Sequence, residues 1–269
     1  MHKWLALLVT FVSAHLGGGL AAAGTLSEPD DHRQWLMLVM TQNTDPARDA
    51  EFNDWYDHVD IPEVLQVPGY RRARRAREES AAESLASKSA SGPLKYLALY
   101  DIDSHDIDKT IIDMLMASWG MEKSHHSTDL LRVTERVYYR QYGPAFASSA
   151  AASPAGNTYV FMTRFDCCHD AVAARRFDRW YERRWVPARL ASPGILSVAR
   201  YELYRVLMEK PVPLPEFMTI EEVEADSAEH AEESMNRLLR RVSGTDRDGG
   251  PYAAVDRSVF LLINDVKRP

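Results

Sequence analysis

Tyr56, His58 and Asp60 stand at alternate positions in YDHVD, just ahead of Pro62. A phenol, an imidazole and a carboxylate in one short segment are the groups used in general acid–base chemistry. Asp60 is the favoured base, because a carboxylate in an apolar pocket has a raised pKa and can take a proton near neutrality. The plainer alternative makes Asp60 the cap of a broken helix turn and His58 a solvated side chain. Two residues along a helix is a rotation of about 200°, so His58 is expected to point away from Asp60. A second stretch, YERRW, puts Arg183, Arg184 and Trp185 where the first has His58, Val59 and Asp60. Arginine beside an aromatic ring suits a carboxylate or phenolate through forked hydrogen bonds, and suits an internal ion pair as well. The reading is therefore Asp60, His58 and Tyr56 as catalytic groups, with Trp55, Tyr181, Arg183, Trp185 and His125 contacting substrate. Because the two stretches differ, one active pocket is expected, in the first half.

Other chemistries find less support. His125 and His126 are adjacent in KSHHSTD, and neighbours on a strand point to opposite faces. No HExxH accompanies them, so no metal is expected. GxGxxG, P-loop and GxSxG stretches are missing, which disfavours nucleotide use and α/β-hydrolase chemistry. The two cysteines, Cys167 and Cys168, are adjacent and read as a strand end with one buried and one exposed thiol.

The elements that must position these residues come in duplicate. A slide of 125 positions aligns residues 34–75 with 159–200 without a gap. It pairs Met37 with Met162, Phe52 with Phe177, Trp55 with Trp180, Tyr56 with Tyr181, Pro62 with Pro187, Gly69 with Gly194 and Arg75 with Arg200. A period this long is a duplicated domain and not a solenoid unit. QWLMLVMTQ and TYVFMTRFD are apolar runs of strand length. A helix follows each, from about residue 47 and residue 171, with Phe52, Trp55, Tyr56 and Val59 on one apolar face. Pro62 and Pro187 end these helices, since proline lacks a donor and crowds the carbonyl a turn back. VPGY and SPGI place Pro-Gly at the centre of type II turns. A second strand, a third strand, a second helix and a fourth strand complete each half, with Ser227 as an N-cap in the second. Strand–helix–strand–strand–helix–strand is the ferredoxin-like order. The expected fold is α+β: two tandem ferredoxin-like (βαββαβ) halves, at 24–145 and 157–269 with a linker at 146–156. Their antiparallel sheets pack together as an intramolecular α/β barrel.

Length, charge and the N-terminus set the outer limits. The chain has 269 residues and a formal charge of -7, which argues against nucleic acid as a partner despite RRARRAR. Residues 1–23 read as a signal peptide, with a short basic start, an apolar run and Ala21-x-Ala23 before the cut. That run is too short to span a bilayer, so no stable membrane insertion is expected. A periplasmic or secreted location follows, and a cytoplasmic one if the segment stays attached.

EFNDWYDHVDIPEVLQVPGY resembles the first helix and turn of EthD-like proteins in the dimeric α/β-barrel superfamily, which show Trp-Tyr, then His and Pro, then Pro-Gly. The resemblance covers both halves. It implies a pocket between sheet and helices, where members isomerise, cyclise, dehydrate or oxidise small molecules, frequently polyketide or aromatic. The family's pre-proline His falls on Asp60 and on Trp185 here. Two functions follow as expectations. One is a cofactor-independent enzyme on a small hydrophobic or aromatic substrate, of lyase or isomerase class ahead of monooxygenase. The other is a non-catalytic small-molecule or haem-binding accessory protein. No cofactor is expected on the first reading, haem on the second, with homodimerisation open in either case.

Overall fold

The computed structural model describes residues 34–79, 94–124, 126–148, 156–168, 170–208, 213–243 and 253–268. The expected signal peptide, most of the linker, and His125 lie outside the described residues.

Strand β1 (Gln34–Asn43) leads through a tight turn at Pro46–Arg48 into helix α1 (Asp49–Trp55). A wide π-type turn over Tyr56–Asp60 carries the chain into α2 (Ile61–Val64). Then come β2 (Tyr70–Glu78), β3 (Lys95–Asp103), α3 (Ile107–Lys123) and β4 (Leu131–Gln141). After a two-residue strand β5 (Phe146–Ala147), the order repeats. The second half has β6 (Asn157–Asp166), α4 (Ala171–Trp180), a wide turn over Tyr181–Trp185 and α5 (Val186–Leu190). It closes with β7 (Ile195–Val206), β8 (Phe217–Ala225), α6 (Ala228–Ser243) and β9 (Ala253–Lys267).

The strands form one sheet in the order β4-β1-β3-β2-β9-β6-β8-β7, and β4 returns to pair with β7. Every pairing is antiparallel, so eight strands close into an α+β barrel. Closure leaves no long open edge among these eight strands. The lumen is filled by Leu36, Leu38, Leu97, Leu99, Val137, Val160, Met218, Ile220 and Phe260. Ion pairs join the halves across it: Arg74 to Glu222 at 2.7 Å, Arg164 to Glu135, and Arg72 to Asp265 at 2.7 Å near the mouth. Two further cores lie outside the barrel wall, one under the helices of each half.

Three local expectations are corrected. Pro62 and Pro187 do not end their helices. Instead the turn before each widens, and the N–H groups of Ile61 and Val186 bond the carbonyls of Tyr56 and Tyr181, five residues back. Widening moves the backbone away from the proline ring that an ordinary turn would crowd. The gap-free alignment also fails in the first strand. Met37 packs under the helices while Met162 faces the lumen, and the true partner of Met37 is Phe161. A slip of one residue reverses every side chain of a strand, so the barrel wall overrules the sequence match. Finally, Cys167 and Cys168 are joined to each other as a disulfide, at a turn where Cys168 has φ 70°. The Pro-Gly turns do form, with Gly69 at φ 95° and Gly194 at φ 80°, the left-handed position a type II turn requires.

Candidate functional site

The wide turns decide what enters the space between barrel wall and helices. In the first half Tyr56 begins the turn and Asp60 ends it. Tyr56 is buried, and Asp60 is half-buried with its carboxyl directed to β3. There the Tyr100 hydroxyl donates to Asp60 Oδ2 at 3.0 Å. Tyr56 interacts electrostatically with both Asp60 and Tyr100. A phenol has one proton, and Tyr100 gives its own to the carboxylate. Beside this row the hydroxyls of Tyr70 and Tyr138 meet at 3.0 Å, with Met37 Sδ 3.3 Å from Tyr70.

Burial dominates the electrostatics. Loss of hydration pushes Asp60 up to about 6, against the opposing pull of the Tyr100 hydrogen bond, Arg136 and Arg75. The same desolvation raises Tyr56, Tyr100, Tyr70 and Tyr138 above the usual phenol range. Arg136, from β4, is the cation common to Asp60, Tyr56, Tyr70 and Tyr138, and stabilises the ionised form of each. Its Nε is buried without a hydrogen-bond partner among the described residues. A carboxylate that titrates near neutrality beside an under-used guanidinium can exchange a proton and hold an anion.

Other expected site residues fall elsewhere. His58 is exposed, its Nδ1 3.0 Å from the Asp54 carbonyl, and it does not reach Asp60. Trp55 is partly exposed and donates from Nε1 to the His126 carbonyl at 2.7 Å. Arg183 is exposed, while Trp185 is buried and stacked on Trp180 with ring centres 5.7 Å apart. Tyr181 is buried against Arg200, whose guanidinium lies 4.4 Å from the ring centre. Arg75 is its counterpart, buried 4.5 Å from Tyr56 and 4.7 Å from Tyr96, and paired with Asp57 at 3.0 Å. Both arginines were visible as an identity in the repeat, a charge kept inside an apolar strand. Tyr100 and Arg136 carried no such signal, because only strand register brings them to Asp60.

Register also shows how the halves differ. Tyr100 and Tyr138 flank Met37, and Glu221 and Val259 flank its counterpart Phe161. The second half thus has Glu221 for Tyr100, Val259 for Tyr138, Ile195 for Tyr70 and Trp185 for Asp60. Arg189, in the place of Val64, is fully buried and bonded through Nε to Glu221, and its terminal nitrogens have no hydrogen-bond partner among the described residues. An ion pair and an indole fill the space that holds the Asp–Tyr row in the first half.

A separate open groove of about 400 Å³ runs between α2 and α3, lined by Glu63, Val67, Ala117, Met121 and His126 among others. It does not include Asp60. Among the described residues no three His, Cys, Asp or Glu side chains converge as metal ligands, and no helix is long and apolar enough to cross a membrane.

No family model and no curated protein matches the chain. Solved structures do. An anthrone oxidase-like protein aligns with TM-score 0.52 and 11% identity over 88% of this chain and 94% of its own. A monooxygenase-like protein of Fusobacterium nucleatum gives 0.53 and 9%, over 87% and 94%. A variant of Rhodococcus jostii RHA1 DypB in complex with haem gives 0.51 and 14%, over 86% and 93%. At such identities the likeness is one of fold, the α+β barrel. These neighbours correct the expectation of cofactor-independent lyase or isomerase chemistry, since the first two are an oxidase-like and a monooxygenase-like protein. They correct the expectation of no cofactor as well, since one holds haem.

Haem is not matched by the first-half interior of this chain. The four described histidines, His58, His105, His126 and His230, are all exposed. Phe52, Tyr56, Tyr70, Tyr100 and Tyr138 pack the space under the helices at 3% exposure or less. Among the described residues, imidazole-ligated haem therefore finds no ligand in that interior, and the packed rings leave no space for a porphyrin.

Proposed function

We propose that the first half of this chain binds a small aromatic molecule carrying an ionisable hydroxyl or enol and holds it for oxidative chemistry. The observation that carries this reading is Asp60, desolvated, hydrogen-bonded to Tyr100, and within the field of Arg136, whose Nε has no partner among the described residues. The Asp60 carboxylate accepts the ligand's proton. Tyr100 steadies that carboxylate, and Arg136 offsets the charge of the anion formed. Trp55 and Val59, both partly accessible, lie on the surface side of this segment. The oxidative character is taken from the oxidase-like and monooxygenase-like proteins of the same fold. His58 stays outside this scheme.

The finer architecture belongs to the same proposal. Numbering the four long strands of each half separately, both run in the order 4-1-3-2, which supports two ferredoxin-like modules from a duplicated ancestor. The EthD-like helix motif supports a relation to that group. The second module serves as scaffold, its pocket position taken by Trp185, Arg189 and Glu221.

Absorption titration of 1-naphthol and anthrone against the protein tests the reading. Binding should shift the ligand toward its anion in the wild type, and Asp60→Asn and Arg136→Gln should each weaken that shift several-fold. Equal ligand ionisation in all three proteins would refute it.

A further inference from the structure

The first-half interior holds more hydroxyl groups than its packing needs, and the second half is the internal control. Both halves keep Phe, Tyr and Arg at three equivalent places: Phe52 with Phe177, Tyr56 with Tyr181, and Arg75 with Arg200. These build the aromatic cage around the buried arginine and belong to the fold. At Tyr100, Tyr70 and Tyr138 the second half substitutes Glu221, Ile195 and Val259 within the same strand register. The barrel therefore closes without these phenols. Burying a hydroxyl is unfavourable unless it finds a partner, so three buried tyrosines present in one half alone call for a reason beyond packing.

Their arrangement supplies one. Trp55, partly exposed, stands 5.6 Å centre to centre from Tyr56. Tyr56 interacts electrostatically with Tyr100, whose ring lies 6.0 Å from that of Tyr70. Tyr70 meets Tyr138 and the Met37 sulfur. Oxidisable side chains thus follow one another, in contact or nearly so, from the surface to the barrel wall. Along this line only Tyr100 has a carboxylate as its hydrogen-bond acceptor.

We propose that Tyr100 is a redox-active tyrosine, served by Asp60 as proton acceptor and connected to the surface through Tyr56 and Trp55. In the step, a one-electron oxidant at the Trp55 face gains one electron, which Tyr100 supplies through Tyr56 and Trp55. The Tyr100 O–H bond breaks, and its proton crosses the 3.0 Å hydrogen bond to the Asp60 carboxylate. The products are a neutral phenoxyl radical, a carboxylic acid and the reduced oxidant. Tyr70, Tyr138 and Met37 extend the path, so an oxidising equivalent can rest inside the barrel wall. This inference rests on the oxidative reading of the first half, and its test needs no ligand.

Photogenerated tris(bipyridine)ruthenium(III), with persulfate as electron sink, oxidises the protein, and freeze-quench electron paramagnetic resonance reads the radical. Ring-deuterated tyrosine identifies it by narrowing the signal. The wild type should give a tyrosyl radical whose yield falls several-fold in Tyr100→Phe and is unchanged in Tyr159→Phe, a second-half control. In Asp60→Asn the radical should form several-fold more slowly and lose its solvent deuterium isotope effect. Circular dichroism and melting temperature establish that each variant is folded. A wild-type yield in Tyr100→Phe, or a wild-type rate in Asp60→Asn, would overturn the proposal. Normal ligand ionisation with no Tyr100 radical would defeat the relay and leave the binding site standing.

Discussion

Replacing Asp60 by asparagine should stabilise the protein, and the gain should depend on pH in a defined way. Burial holds the folded carboxyl at about 6, while in the unfolded chain it returns to the ordinary value of 3.8. The folded state therefore binds this proton more tightly than the unfolded state does. Stability from this group is fully present below the unfolded value and is lost as pH rises through the folded one. The difference amounts to about 3 kcal/mol of destabilisation at pH 7, and to well under 1 kcal/mol at pH 4. Asparagine keeps an oxygen to accept from Tyr100 and carries no charge, so it removes the pH-dependent part alone. Urea unfolding of both proteins at half-unit intervals from pH 4 to 8 yields the difference curve, in which other titrating groups cancel. We expect near parity at pH 4, a rise centred between pH 4 and 6, and a plateau approaching 3 kcal/mol in favour of asparagine. A flat difference, or a wild type more stable at pH 8, would refute the desolvated placement of Asp60. Keeping a destabilising group in the interior fits a functional role better than a structural one.

Three further outcomes can be checked by urea or thermal unfolding. Glu221→Ala should cost about 3–5 kcal/mol by leaving Arg189 buried without its anion, whereas Arg189→Met combined with Glu221→Leu should come out near neutral. Gly194→Ala should be more damaging than Gly69→Ala. Both residues have positive φ, but a Cβ on Gly194 would stand 2.2 Å from the Glu224 carbonyl oxygen, against 3.1 Å to that of Asp103 for Gly69. Arg75→Met should destabilise by about 3 kcal/mol, since Asp57 and Asn53 then lose their buried donor, with Arg75→Lys recovering only part because it lacks the planar fork.

The elements of this fold were legible in the sequence because each half carries uninterrupted apolar strands, a helix face with aromatic spacing and Pro-Gly turns. Those are local signals, and local structure obeyed them. Register was not legible. Met37 and Met162 look like equivalents in an alignment, yet they face opposite sides of the wall, because a one-residue change between strand and helix leaves no local mark. Asp60 was found through its position before Pro62, and the widened turn that aims it inward was not. Tyr100 and Arg136 come from strands 40 and 76 positions further on, so nothing near Asp60 in the chain announces them. Function was the least legible. The helix motif speaks for a fold used by many chemistries, and the lyase or isomerase reading drawn from it gave way once oxidative proteins of the same fold were found.

The seam between β2 and β9 has a consequence for how the chain reaches this state. Arg72 and its partner Asp265 are 193 positions apart, and β2 takes β9 as one of its two neighbours. A nascent chain emerging from the ribosome would have β2 waiting with its outer backbone groups unpaired until β9 has been made. Such a wait slows folding and offers a template for mispairing with other chains. Loss of β9 would make that interim condition permanent, turning a closed cylinder into an aggregation-prone sheet.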